Sequence, residues 1–323
     1  MRYRAQKTYK LLDYVPRLVS NGFMVGKKWN PESAREYAKR ALLDVGISDH
    51  EISLVRFGEN AIFHSEILGA AIRVYRSPDR LNVANKCFEM GRFLEKEKFP
   101  AVRPMKLTDE TLTVSGFPVT FWKWERISEV EHFDWGHFGA LLRGFQEIGK
   151  NFSFHLDAFD PFAKISSRIN SLESSGKFKD TEIELIVESY SRCLSYNYFE
   201  QNQEDPHVIH ADAHRGNTIL SESGLLLIDF DNICFGPQDW DALPTLIATR
   251  RFDLSETSLQ SFLSGFERNI DKKRIDQAIE IKELSMTTWL CQNRGISPEV
   301  DNEINHRLDT WRRNDKYSSW NAF

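Results

Sequence analysis

His210, Asp212, His214, Asn217, Asp229 and Asp231 fall within residues 210–231 of a 323-residue chain. Val208-Ile209 reads as the end of a strand, and His210-Ala211-Asp212-Ala213-His214-Arg215-Gly216-Asn217 as a polar loop. Thr218-Ile219-Leu220, a Ser223-Gly224 turn and Leu225 to Ile228 then read as a hairpin that ends on Asp229-Phe230-Asp231. The loop sets Asp212 and Asn217 five positions apart, and the hairpin returns Asp229 beside them. Phosphoryl transfer needs a positioned carboxylate for the attacking hydroxyl and oxygen ligands for the divalent cations on the phosphates. Asp, Asn and Asp at these separations supply both. A polar hairpin with Asp and Asn in its turns is the simpler reading, but it accounts for single residues and not for the set.

The segment resembles the motif H-G/A-D-x-H-x-x-N, followed some twenty residues later by I-D-F/W, of the aminoglycoside phosphotransferase and choline kinase family, a branch of the protein-kinase-like fold. His210, Asp212, His214, Asn217 and Ile228-Asp229-Phe230 match it. The resemblance implies Asp212 as catalytic base, Asn217 and Asp229 as ligands of Mg2+, and ATP or GTP as phosphoryl donor. His210 and His214 have two readings, proton shuttle or metal ligand against loop support through backbone hydrogen bonds; loop support is favoured for both. Asp231 reads as a structural or solvated carboxylate. Gly236-Pro237-Gln238-Asp239-Trp240-Asp241 resembles the family's G-x-P-x-x-D segment, which gives Asp241 the role of bracing the catalytic loop.

The nucleotide side is less specific. Phe57-Gly58-Glu59-Asn60-Ala61-Ile62-Phe63 resembles the family's G-x-x-N-x-V-Y hairpin over the phosphates, so Gly58 and Asn60 are expected there. Arg73, in Ala71-Ile72-Arg73-Val74, stands where the family carries a lysine. Arginine keeps the charge but is not isosteric. Glu89 is its expected helix partner, from resemblance to an E-x-x-x-L-L helix. Trp122 and Trp124 lie on the segment resembling the adenine-binding hinge strand, although packing is the better reading for each taken singly. Trp289, Gln292, Asn293 and Arg294 are the acceptor-site candidates on the C-terminal helices.

These residues need elements to carry them. Asn30-Pro31-Glu32-Ser33 opens a helix that ends at Gly46, and strands are expected over 52–57, 61–67 and 70–75. A helix over 81–97 follows, then strands over 102–107, 111–114 and 118–123. Beyond about residue 130, apolar spacing of three and four predicts helices over 132–149, 161–172, 181–201, 238–250, 254–268, 272–291 and 298–313. The fold class is therefore α+β. The layout is bilobal and protein-kinase-like: a nucleotide-binding N-lobe over 1–125, including an N-terminal helical extension, and a helical C-lobe over 126–323 with catalytic loop and acceptor site.

Composition sets the outer limits. Hydrophobic residues make 41% and charged residues 28%, which fits a folded chain and not a disordered one. A net charge of −5 argues against a nucleic-acid partner, which calls for a basic face. No apolar run approaches the ~20 residues of a membrane span, and Met1 to Lys10 lacks the apolar core of a signal peptide. Cys87, Cys193, Cys234 and Cys291 are scattered, as free thiols in a reducing compartment are, so a cytoplasmic protein is expected. The reading that results is an ATP- or GTP-dependent, Mg2+-using phosphotransferase. Its partners are a nucleoside triphosphate and a small hydroxyl-bearing substrate, such as an aminoglycoside antibiotic or a metabolite alcohol. The alternatives are a protein Ser/Thr kinase of the stress-response type and a nucleotide-binding pseudokinase, the latter favoured only by Arg73.

Overall fold

A computed structural model describes residues 29–48, 51–108, 111–128, 132–196, 198, 207–268 and 272–323. Most of the expected N-terminal extension, and residues 129–131 of the connection between the two parts, lie outside the described residues.

Helix α1, Pro31–Asp44, starts where the sequence signals it. Asn30 Oδ1 accepts from the Ser33 amide while the Asn30 amide donates to Ser33 Oγ, and Pro31 occupies the first turn. Ala34, Tyr37, Ala38, Ala41 and Leu42 form its buried face. That face covers an antiparallel sheet of β1 (Ile52–Phe57), β2 (Asn60–Ser65), β3 (Ala70–Tyr75), β4 (Leu112–Val114) and β5 (Phe117–Lys123), in the order β1-β2-β3-β5-β4. Ala61, Phe63, Ile72, Val74, Val119 and Phe121 fill the space between. Helix α2, Leu81–Lys96, packs against β5 through Gly91, where a Cβ would press on the Trp122 ring.

The remainder is helical: α3 (Trp135–Gly149), α4 (Pro161–Ser175), α5 (Asp180–Leu194), α6 (Leu243–Arg251), α7 (Glu256–Phe266), α8 (Lys272–Cys291) and α9 (Pro298–Arg312). Asp134, Asp160, Ser255 and Ser297 cap α3, α4, α7 and α9 with side-chain oxygens. Between α5 and α6 lie β6 (His207–Ile209), β7 (Thr218–Ser221), β8 (Gly224–Leu227) and β9 (Cys234–Gly236). β7 and β8 form the expected hairpin. The α+β class and the division into a sheet-bearing and a helical part follow the sequence pattern. Among the described residues, no helix is long and apolar enough to cross a membrane.

Several expectations change, and the helix expected over 181–201 ends at Leu194. Residues 102–107 form no continuous strand; isolated bridges at Ala101 to β8 and at Pro104 to β5 hold this stretch, and Pro104 within it has no amide to donate. Residues 238–250 divide into a 3-10 turn, Gln238–Ala242, and α6, with Pro244 in the first turn of α6. β9 is too short to carry a pattern and exists because it pairs with β6.

Candidate active site

Strand β6 delivers the chain into the loop, and Asp241 fixes the loop's entry. The His210 amide donates to Asp241 Oδ2 at 2.9 Å and the Ala211 amide to Oδ1 at 2.8 Å. Gln146 Nε2 adds a third donor at 3.0 Å. Asp241 is fully buried, so burial raises its carboxyl above the ordinary range, and these donors supply what water would. The clamp holds Ala211 at φ +63°, a left-handed conformation uncommon for a residue with a Cβ. His210 is fully buried against Phe145 and Phe230, and its Nε2 donates to the Ile228 carbonyl at 2.9 Å. The ring therefore ties the loop to the end of β8.

Asp212 and Asn217 meet within the loop. Asn217 Nδ2 donates to the Asp212 carbonyl at 2.8 Å, which leaves the amide oxygen as the atom it offers elsewhere. The Ile228 amide donates to the Asn217 carbonyl at 3.0 Å, so the residue before Asp229 is fastened to Asn217. Asp212 Oδ1 accepts from Lys282 Nζ of α8 at 3.2 Å, and His214 Nε2 stands 3.8 Å from Oδ2. Burial pushes the Asp212 carboxyl up, but Lys282, His214 and His210 outweigh it and hold it well below the usual carboxylate range. His214 itself is lowered by burial.

Asp229 occupies a left-handed position at φ +65°, which turns the chain from β8 into the 3-10 turn Phe230–Asn232. Its carboxylate accepts from Arg73 Nη2 at 3.3 Å, while Asp231 accepts from the same atom at 2.7 Å. Burial and the neighbouring Asp231 raise the Asp229 carboxyl, whereas at Asp231 burial is outweighed by Arg73, the Cys87 hydrogen bond and Arg80 together, which hold it low. Asn60 lies beside this pair; with its amide oriented to satisfy both ends, its oxygen accepts from Arg73 at 2.6 Å. Cys87 of α2 completes the group, Sγ donating to Asp231 Oδ1 at 3.1 Å.

The candidates thus separate. Asp212, Asn217, Asp229, Asn60 and Arg73 converge, and Gly58 sits in the β1–β2 hairpin next to Asn60, its amide donating to the Asn60 carbonyl at 3.1 Å. Glu89 does not join them: it is 40% exposed and pairs with Arg92 of its own helix at 3.3 Å. Cys87, half a turn earlier, takes the inward position on α2, and the counter-charges of Arg73 come from Asp229 and Asp231 instead. Trp122 is buried on Gly91 with its indole N–H donating to Thr120 at 2.9 Å, which makes it a packing residue. Trp124 is half-buried and stacks on His64 with centroids 4.0 Å apart. Just past the end of α8, Arg294 donates to Glu182 of α5 and Asn305 of α9, while Gln292 and Asn293 donate back to the Trp289 carbonyl and close the end of α8. The α8 residue that reaches Asp212 is Lys282; about two and a half turns of helix lie between it and the end of α8, and no motif marks it.

The oxygen set suits a hard divalent cation, with a carboxylate at Asp229 and an amide oxygen at Asn217. Among the described residues, no group of three or more His, Cys, Asp or Glu side chains is placed to hold a metal. Two protein oxygens fit a cation that keeps water and takes phosphate as further ligands.

Comparison with known proteins bears on this geometry. The model of the phosphotransferase enzyme family matches residues 69–275. No curated protein sequence matched the chain. Among solved structures, the amicoumacin kinase hAmiN in complex with AMP-PNP and Ca2+ superposes with a TM-score of 0.68 at 13% identity, covering 91% of this chain and 98% of that one. The GDP and kanamycin complex of APH(2")-IIia gives 0.61 at 14% identity, covering 87% and 98%. A choline/ethanolamine kinase family protein from Mesorhizobium loti gives 0.58 at 14%, covering 87% and 93%. At these identities the likeness is one of fold.

Proposed function

Because the chain belongs to the phosphotransferase enzyme family, we propose that it moves the γ-phosphoryl group of ATP or GTP to a hydroxyl group of a small molecule. The observation that carries this reading is the junction of loop and hairpin: Asn217 bonded to Asp212 at 2.8 Å and fastened through its carbonyl to Ile228, next to Asp229. In this assignment Asp212 orients the acceptor hydroxyl. The hydroxyl oxygen attacks the γ-phosphorus, its proton passes to Asp212, the bond to the β–γ bridging oxygen breaks, and ADP or GDP leaves. Asn217 and Asp229 would hold Mg2+, which when bound neutralises charge on the phosphates. Arg73 and the Gly58–Asn60 hairpin face the nucleotide, with 1–125 as the nucleotide lobe and 126–323 as the lobe of the loop and acceptor.

The segment after Asp231 supports a small acceptor over a protein one. Asn232 to Pro237 is all that precedes the next 3-10 turn, and Cys234–Gly236 is already paired with β6. A peptide-docking activation segment has no chain left from which to form. The four cysteines are free and buried, which supports a reducing, cytoplasmic setting. Release of ADP or GDP across a panel of hydroxyl compounds, run beside labelled nucleotide with a cell lysate, tests the proposal. Label transferred to lysate proteins at catalytic rates, with none on small molecules, would contradict it.

A further inference from the structure

Helices α2, α4 and α8 bring four cations around Asp212 and the segment that follows the catalytic hairpin. Lys164 Nζ of α4 donates to Asn232 Oδ1 at 2.8 Å. One turn on, Arg168 Nη1 donates to the carbonyl and hydroxyl oxygens of Ser285, at 2.9 and 3.3 Å, and so bridges α4 to α8. Lys86 Nζ of α2 reaches the Ile233 carbonyl at 3.0 Å. Lys282, one turn before Ser285 on α8, holds Asp212. Among the described residues, Lys86, Lys164 and Arg168 rest on neutral oxygens and have no carboxylate at ion-pair distance. Lys164 and Arg168 are both lowered, Lys164 by burial and then by Arg168, Lys86 and Arg80, Arg168 by burial. The carboxylates that act on them from further off are Asp212 on both and Glu59 on Arg168.

Lys86 and Arg168 are half-buried and Lys164 is exposed, and cations set together without counter-ions make a positive field that an anionic ligand relieves. A polycationic acceptor such as an aminoglycoside would be repelled from this wall, since like charges placed together cost affinity. From this placement we infer that the acceptor is an anionic alcohol, a small molecule carrying a carboxylate or phosphate beside the hydroxyl that Asp212 receives. Lys164 and Arg168 bind its anion, Lys86 extends the same wall, and Lys282 stands between anion and base. The inference rests on the phosphotransferase reading above and narrows its substrate class. The nucleotide's own phosphates are the other source of negative charge, so the test must keep them in place.

Protein loaded with Mg2+ and AMP-PNP is titrated calorimetrically with glycerate and glycerol 3-phosphate, with glycerol as the neutral alcohol, and with choline and kanamycin as cations. The anionic alcohols are expected to bind at least about tenfold more tightly than glycerol, the effect of one charged contact. Lys164→Glu/Arg168→Glu should remove that preference while Mg2+·AMP-PNP affinity stays within about twofold. Lys164→Glu alone, at an exposed side chain, should remove part of it and guards against misfolding of the double variant. Equal or tighter binding of choline or kanamycin, or no preference for anions over glycerol, would overturn the inference. So would a double variant that loses AMP-PNP and keeps the anion, because the cations would then belong to the nucleotide. Failure of the unmodified protein to bind Mg2+·AMP-PNP at all would instead strike the phosphotransferase reading, and the inference with it.

Discussion

Asp212 and Arg73 carry opposite charges at the same site and are held in different ways. Asp212 is positioned by its own loop: Asn217 lies five residues away, and Asp241 clamps the loop entry through two consecutive amides. Arg73 is positioned by the far end of the sequence, its two carboxylate partners lying 156 and 158 residues further on, with Asn60 from the neighbouring strand. The supports of the loop, Asp241 and Lys282, both lie in the helical part, whereas the arginine's geometry depends on how sheet and hairpin come together.

The comparison breaks most visibly at Asp229, the one residue shared by both arrangements. Asp229→Ala should remove a ligand for the cation and a partner of Arg73 together. Turnover should fall on the order of a thousandfold, with Mg2+·nucleotide binding weakened in calorimetry. A variant that binds and turns over nucleotide normally would separate Asp229 from the site.

Next comes the clamp. Asp241→Ala strands the His210 and Ala211 amides and leaves Gln146 with the Gln238 carbonyl, and each buried donor left without a partner costs about 1–3 kcal/mol. Urea denaturation should show a loss of that order, and kcat should fall more than nucleotide affinity, since the loop and not the arginine loses its support. A drop in affinity with kcat intact would reverse the assignment.

Arg73→Lys sharpens the other half. A lysine keeps the charge but is not isosteric with the guanidinium, whose Nη2 serves both Asp229 and Asp231. Loss of one charged hydrogen bond, roughly 1.5 kcal/mol, corresponds to about tenfold in kcat/KM for the nucleotide. Unchanged kinetics would show that the guanidinium bridge has no part in nucleotide geometry. The smallest effect is expected at Glu89→Ala, whose side chain, 40% exposed, pairs with Arg92 of its own helix. Nucleotide kinetics there should stay within about twofold, and a tenfold loss would return Glu89 to the site.

What the sequence disclosed follows the same division. The loop and hairpin were legible because residues close in sequence are close in space, and the turn at Ser223-Gly224 fixes which residues face each other. The β1–β2–β3 order and α1 were legible from turn glycines and a capping box. Glu89 was misplaced because the inward face of α2 depends on helix rotation, and Gly91 against Trp122 sets that rotation in a way no local pattern records. The partners of Arg73 were hidden by sequence distance. Lys282 was hidden because a lysine on a long helix looks like a solvated one until α8 is laid against the loop. Asp231, set aside as a structural carboxylate, accepts the shorter of the two Arg73 contacts, at 2.7 Å.

The central claim is that Asp212 receives the acceptor's proton while the nucleotide is held by other residues. Asp212→Asn preserves shape, and the Lys282 and Asn217 contacts retain an oxygen to meet. The account predicts that phosphoryl transfer to the acceptor falls by about 10²–10⁴, while the affinity for Mg2+ and AMP-PNP, measured on the same preparation, changes by no more than about twofold. Full transfer activity in the Asp212→Asn protein, or loss of nucleotide binding equal to the loss of transfer, would contradict it.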